Sequence, residues 1–327
     1  MSGASSAGMV SQEKIVVAIS VAIFAVFSFI IPDFLSTSNV SSLVQNIAIL
    51  GILGVAMAIT IIGRGIDLSI VTSMSVSVAW MLNLLNSGVP MSVALPLAIG
   101  FSVAVGLING LFIAYVEVPA IFATLAMATL VYGFGKFFLV QTDVVYLPEA
   151  WRWLSRAVTG DVAGVPIPVI LFLAIALFAA LFLRYARDGR FIYAMGENPQ
   201  AARTSGIPVR LITVLQYVLS ALIALAAGLL MSMLVASMNT RISSSTLVYD
   251  VILVVVLGGI GLSGGRGGIH SVIVGTLLIG ILVNGMTMLN LNYTMQNVIK
   301  AVILLLALTL DAIINPRDEQ TSQQGDI

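Results

Sequence analysis

The sequence predicts an all-α integral membrane protein: a polytopic bundle of about ten transmembrane helices, both termini cytoplasmic, with an internal repeat of broken helices. Composition, the length of the apolar runs and the placement of the arginines predict it. Of 327 residues, 59% are hydrophobic and only 9% charged, against roughly 25% charged in an average soluble domain. The mean hydropathy is +1.11. A soluble domain of this length cannot cover its surface with so few polar side chains, so lipid is the solvent. In lipid every backbone polar group needs an internal partner, which leaves helices or closed barrels. Barrel strands alternate over short segments, whereas these apolar runs are continuous, and helices follow.

A span takes about 20 mainly apolar residues. Ten segments qualify, near 15–31, 43–62, 70–86, 91–115, 120–140, 167–183, 211–236, 247–261, 270–289 and 296–314. The first, third and eighth are short. The first runs on into Pro32-Asp33-Phe34 with no small-residue cleavage site and reads as a retained span. Orientation comes from Lys and Arg in short loops. Residues 184–210 hold five of the fourteen basic residues, Arg184, Arg187, Arg190, Arg203 and Arg210, and are expected in the cytoplasm. The loop 141–166, with Trp151 and Trp153 as interface anchors, is expected outside. Lys14 and Arg317 put both ends inside, and an even number of crossings agrees. The predicted organisation is therefore a cytoplasmic tail over 1–14, a permease domain over 15–314 and a polar, disordered cytoplasmic tail over 315–327.

The same composition excludes several classes. Lys plus Arg equals Asp plus Glu at 14 each, which argues against a binder that neutralises nucleic-acid phosphates. There is no cysteine and one histidine, His270. Thiol chemistry is excluded, a metal site is not expected, and an intramembrane enzyme lacks its catalytic set. His270 reads as a bland residue. The fourteen methionines read as adaptable packing.

Two stretches resemble each other: Ile62-Gly63-Arg64-Gly65-Ile66-Asp67-Leu68-Ser69 and Leu257-Gly258-Gly259-Ile260-Gly261-Leu262-Ser263. Each ends an apolar run in glycines, and each is followed by a buried-looking Asn-Gly pair, Asn109-Gly110 and Asn284-Gly285. Transporters place glycine-broken helices at matching positions of repeated halves along the solute route. The alternative is that the glycines only let helices pack closely. Polar side chains in apolar runs mark candidate wall positions of a translocation path: Asn46, Asp67, Ser69, Asn109, Phe122, Thr124 and Asn284. Gln45 and Trp80 are weaker candidates. Such groups bind sugar hydroxyls or join helices to one another. Arg64 is expected to pair with Asp67 on one helix face. Arg241 and Asp250, flanking the loop 237–249, are expected either to steer a docking partner or to be solvated.

The cytoplasmic stretch carries the clearest local signal. Asn198 suits an N-cap and Pro199 the first helical turn; the helix continues through Ser205, and Gly206 ends it in a left-handed conformation. A short helix held between two spans is a knob that another protein can grip. This stretch resembles the coupling loop of ATP-binding-cassette importer permeases, whose pattern is Glu-Ala-Ala, three residues, Gly; here Gln200 stands for the Glu, with Ala201, Ala202, Arg203 and Gly206. The longer phrase Gly189, Arg190, Ala194, Gly196, Asn198, Ala201, Ala202, Gly206 and Ile207 resembles the ribose/xylose/galactose-type sugar permeases. So do Gly65-Ile66-Asp67-Leu68-Ser69 and the glycine-rich run 258–268. Where that family commonly continues with Val-Gly, this chain has Ile70-Val71.

The resemblance implies a permease subunit of a bacterial inner-membrane importer for a monosaccharide or similar small polar solute. It implies a homodimeric or paired permease, a cytoplasmic ATPase, often of two fused cassettes, docked on the 187–207 loop, and a periplasmic solute-binding protein. The permease itself would hold no cofactor and hydrolyse no ATP, which the partner ATPase binds; no Gly-x-x-x-x-Gly-Lys-Ser/Thr phosphate loop is found in the chain. A stand-alone ion-coupled secondary transporter is the alternative, and it leaves the 187–207 loop without a purpose.

Overall fold

A computed structural model describes residues 3–314, with side chains over 13–309. The expected tail over 315–327, Arg317 included, lies outside the described residues. Thirteen helices follow in order: α1 Gly3–Ile30, α2 Thr37–Ile62, α3 Ile70–Asn86, α4 Met91–Ala114, α5 Ala120–Phe134, α6 Arg152–Val158, α7 Ile167–Tyr185, α8 Arg187–Glu197, α9 Pro199–Thr204, α10 Val209–Leu234, α11 Leu247–Gly258, α12 Ile269–Met288 and α13 Tyr293–Ile314. A π turn over Gly135–Leu139 extends α5.

Each of the ten expected segments is a helix. Seven are long and apolar enough to cross a membrane, while α3, α11 and the apolar part of α13 are shorter. Two of the short ones adjoin a glycine break, which removes helical turns from the element. Helix α1 begins at Gly3, within the segment 1–14 expected as the N-terminal tail. The remaining elements are small. β1 (Val144–Tyr146) pairs antiparallel with β4 (Ser237–Asn239), Val145 facing Met238. β2 (Asp161–Val162) and β3 (Val165–Pro166) form a short hairpin.

Helix α2 is the centre of the bundle and is buried from Ala48 to Ile62. Helix α10 packs against α2, α3 and α4. Its contact with α4 rests on small residues spaced four apart, so that their faces align: Ser102 donates to the Ala221 carbonyl at 2.8 Å, Gly106 lies against the backbone of Tyr217 and Val218, and Gly110 against Val214. A side chain at Gly106 would meet backbone, which cannot yield. Small residues that let two backbones approach are the usual device for packing helices in lipid, where apolar burial gives little drive. Phe29, Phe122, Phe137, Phe178 and Leu305 are among the large apolar side chains left exposed on the outside of the bundle, as a lipid-facing surface requires.

Candidate functional site at the two helix breaks

Both glycine runs are breaks between helices. Residues 63–69 separate α2 from α3, and 259–268 separate α11 from α12. Arg64 turns the first break with φ 66, so residues 64–67 are not helical and the expected Arg64–Asp67 face does not exist. Arg64 is exposed, and the ion pair is absent. Asp67, 1% exposed, is held by hydroxyls and backbone instead. Its carboxylate accepts from the Ser69 hydroxyl at 2.6 Å and the Ser69 amide at 3.0 Å. It also accepts from Ser220 of α10 at 3.1 Å. Three donors meet this buried carboxyl group, and among the described residues no cation pairs with it.

Asn109 of α4 donates to the Ser69 hydroxyl at 2.8 Å. Thr124 of α5 donates to Ala120 at 2.8 Å and reaches the Ile66 carbonyl at 3.3 Å, and the Tyr217 hydroxyl approaches the same carbonyl at 3.4 Å. Four of the seven candidate path residues, Asp67, Ser69, Asn109 and Thr124, thus form one buried cluster around the first break. The other three stand apart. Asn46 is exposed on α2, and Phe122 is 66% exposed on the outer surface. Asn284 makes a reciprocal amide pair with Asn39, at 2.9 and 3.2 Å, that fastens α12 to α2. Gly285 packs on Phe27, and Gly110 packs on Val214. Both Asn-Gly pairs therefore serve helix contact through their glycines, while their asparagines diverge.

The structure adds residues that single-position reading of the sequence passed over. Thr213, Gln216, Tyr217 and Ser220 form a buried polar stripe on α10, visible in the sequence as polar residues three and four apart in an apolar run. Helix α3 is buried on every side although it carries Thr72, Ser73, Ser75 and Ser77. Ser73 Oγ, Asn109 Oδ1 and Gln216 Oε1 are buried without a hydrogen-bond partner. These unmatched atoms sit on α3, α4 and α10, the helices that enclose the break.

The stretch 187–207 folds as two helices, one more than expected. In α9, Asn198 caps the helix by accepting from the amides of Gln200 and Ala201, each at 3.0 Å. Gly206 follows at φ 81, a left-handed conformation natural to glycine after a helix. Arg190, Ala201, Arg203 and Gly206 are exposed, Ala194 and Ile207 half-buried, and Ala202 buried. Helix α8 was legible only as a motif. Its Gly189 lies on the backbone of Phe182 and Leu183 in α7, and its Gly196 lies on the Ile62 carbonyl and Gly265. Burial raises the pKa of Tyr193 in α8, which keeps the phenol protonated and a donor; it donates to the Gly267 carbonyl at 2.8 Å. Gly189 and Gly196 are thus seats against neighbouring backbone.

The opposite end of the bundle is held by a charge cluster. Asp143 lies 2.8 Å from Lys136, and Arg241 pairs with its other carboxylate oxygen at 2.6 Å. The Lys136 hydrogen bond, with Arg241 beside it, holds the Asp143 carboxyl below its ordinary range. Arg241 is therefore engaged within the chain. Asp250, expected either at a docking rim or in a solvated loop, is instead buried in α11 against Lys300 of α13. Lys300 Nζ is 2.9 Å from each carboxylate oxygen, although only Oδ2 is well placed for a hydrogen bond. His270 meets Glu13 of α1 at 3.0 Å. Among the described residues, no cluster of three metal-ligating side chains occurs.

A multi-pass apolar bundle with paired helix breaks and an exposed two-helix knob defines a membrane permease. Residues 39–308 match the family described as branched-chain amino acid transport system / permease component. The ribose import permease protein RbsC of Escherichia coli K12 is 32% identical over 306 residues, covering 92% of this chain and 93% of that protein. RbsC of Bacillus subtilis 168 is 33% identical over 287 residues, 88% of each chain. The xylose transport system permease protein XylH of E. coli K12 is 28% identical, covering 94% of this chain and 93% of that one. No solved structure matches. The chain belongs to this permease family and is a multi-pass inner-membrane protein.

Proposed function

We propose that this chain is the transmembrane permease subunit of an ATP-binding-cassette importer that carries a monosaccharide. The observation that carries the reading is the exposed, capped α8–α9 knob, seated on both helix breaks and built on a sequence that resembles the coupling loop of sugar permeases. The curated relatives named for ribose, arabinose and xylose support the sugar class, although the family description names branched-chain amino acids.

In this reading the knob faces the cytoplasm and receives a separate tandem-cassette ATPase, which alone binds and hydrolyses ATP. Gly189, Arg190, Ala194, Gly196, Asn198, Ala201, Ala202, Arg203, Gly206 and Ile207 form the coupling element. The exposed side chains touch the ATPase; Gly189, Gly196 and Ala202 shape the knob from within. A periplasmic binding protein delivers solute to the face carrying loop 141–166, and two permease copies enclose the route. Asp67, Ser69, Asn109 and Thr124 line or brace that route at the first break. There the unmatched atoms of Ser73, Asn109 and Gln216 match the hydroxyl chemistry of a sugar.

The test is uptake of radiolabelled ribose, xylose and arabinose into proteoliposomes. Uptake is expected only when permease, cognate ATPase, binding protein and ATP are all present. Uptake by the permease alone under a proton or sodium gradient would instead establish a secondary transporter.

A further inference from the structure

We infer that Tyr193 and Gly196 make a transmission joint, through which motion of the α8–α9 knob moves both helix breaks as one body. The inference rests on the permease reading above. Three backbone segments meet at the end of α8. The Gly265 amide in the second break donates to the Ile62 carbonyl, where the first break begins, at 2.8 Å. The two halves of the repeat are thereby joined directly.

Gly196 closes over that bond. A Cβ there would strike the Ile62 carbonyl and would sit 2.5 Å from the Gly265 nitrogen. On the far side, a Cβ on Gly265 would meet the Glu197 backbone at 2.6 Å. All three neighbours are main chain, so the fit is rigid. Three residues earlier, on the same face of α8, Tyr193 donates to the Gly267 carbonyl at 2.8 Å. Gly265 and Gly267 hold φ 72 and 97, so this loop presents its carbonyl in a shape that few other residues adopt. Helix α8 thus packs on the first break and is both packed on and hydrogen-bonded to the second. On the other side of α8, Met195 lies by Gly63 and accepts from Thr213 of α10 at 3.3 Å, beside the polar stripe that reaches Asp67.

Tyr193→Phe removes the bond to the second break and keeps the ring that packs. Tyr185→Phe, at a residue 65% exposed outside the joint, is the control. The measurement is sugar transported per ATP hydrolysed by the assembled complex in proteoliposomes, together with the amount of ATPase that co-purifies. For Tyr193→Phe the transport ratio is expected to fall about 2- to 10-fold, the span of one half-buried hydrogen bond. ATPase binding should be unchanged, and Tyr185→Phe should match the unaltered protein. An unchanged ratio would overturn the joint. So would loss of bound ATPase, which would make Tyr193 a docking residue. If the unaltered protein shows no ATP-dependent uptake, the permease reading fails, and this inference with it.

Discussion

At the scale of single residues, burial decides what each polar side chain does. Asp67 was legible as an ionisable group at a break, but its partners were not. Sequence spacing offered Arg64, whereas the turn at Arg64 sends that side chain outward and hydroxyls from Ser69 and Ser220 fill the site. Ser220 lies 153 residues away, a distance that no local spacing rule spans. Asp250 and Lys300 make the same point, since neither position signals its partner 50 residues off. That pair gives a sharp prediction. Lys300→Met leaves a carboxylate buried without its cation and is expected to cost about 3–5 kcal/mol, while Lys300→Met with Asp250→Leu is expected to recover most of the loss. Thermal unfolding in detergent of the two singles and the double checks it; a double variant no more stable than either single would contradict the pairing.

At the scale of elements, the helices were readable because each carries its own signal. The apolar runs are long enough to require helix, and Asn198, Pro199 and Gly206 bracket α9 by local chemistry alone. Helix α8 was not readable as a helix, because it combines charged residues with two glycines that lower helix propensity; its glycines are there for neighbours the sequence does not reveal. The Asn198 cap is testable by itself. Asn198→Ala is expected to weaken α9 by about 1 kcal/mol and Asn198→Asp to keep it. Because Asn198 is exposed, the effect should appear as weaker co-purification of the ATPase with little change in the melting temperature of the permease. A large drop in melting temperature would mean that the cap supports the bundle.

For the whole molecule, the contacts sort the loops to two ends. Glu117 meets Arg210, and Glu13 meets His270, at the end that carries α8 and α9. Asn86 meets the Tyr146 carbonyl, and β1 meets β4, at the other. Alternating spans predict this separation into two ends. The chain has no cysteine, so single-cysteine variants report sidedness cleanly. Ser205→Cys is expected to react with a membrane-impermeant maleimide only in inside-out vesicles, and Ala157→Cys only in intact spheroplasts. The reverse pattern would invert the topology and remove the knob from the reach of a cytoplasmic ATPase.

The sequence by itself determined the class of the protein. Lipid leaves so little freedom that composition and run length dictate helices, and a local capping motif dictates the exposed helix α9. Only the tertiary structure decided which polar groups meet. It gathered Asp67, Ser69, Asn109 and Thr124, left Asn46, Phe122 and Asn284 elsewhere, and set α8 on both breaks. The physical reason is that helix formation depends on neighbours within a turn or two, whereas the partners of a buried polar group come from whichever helices the packing of small residues brings within hydrogen-bond reach.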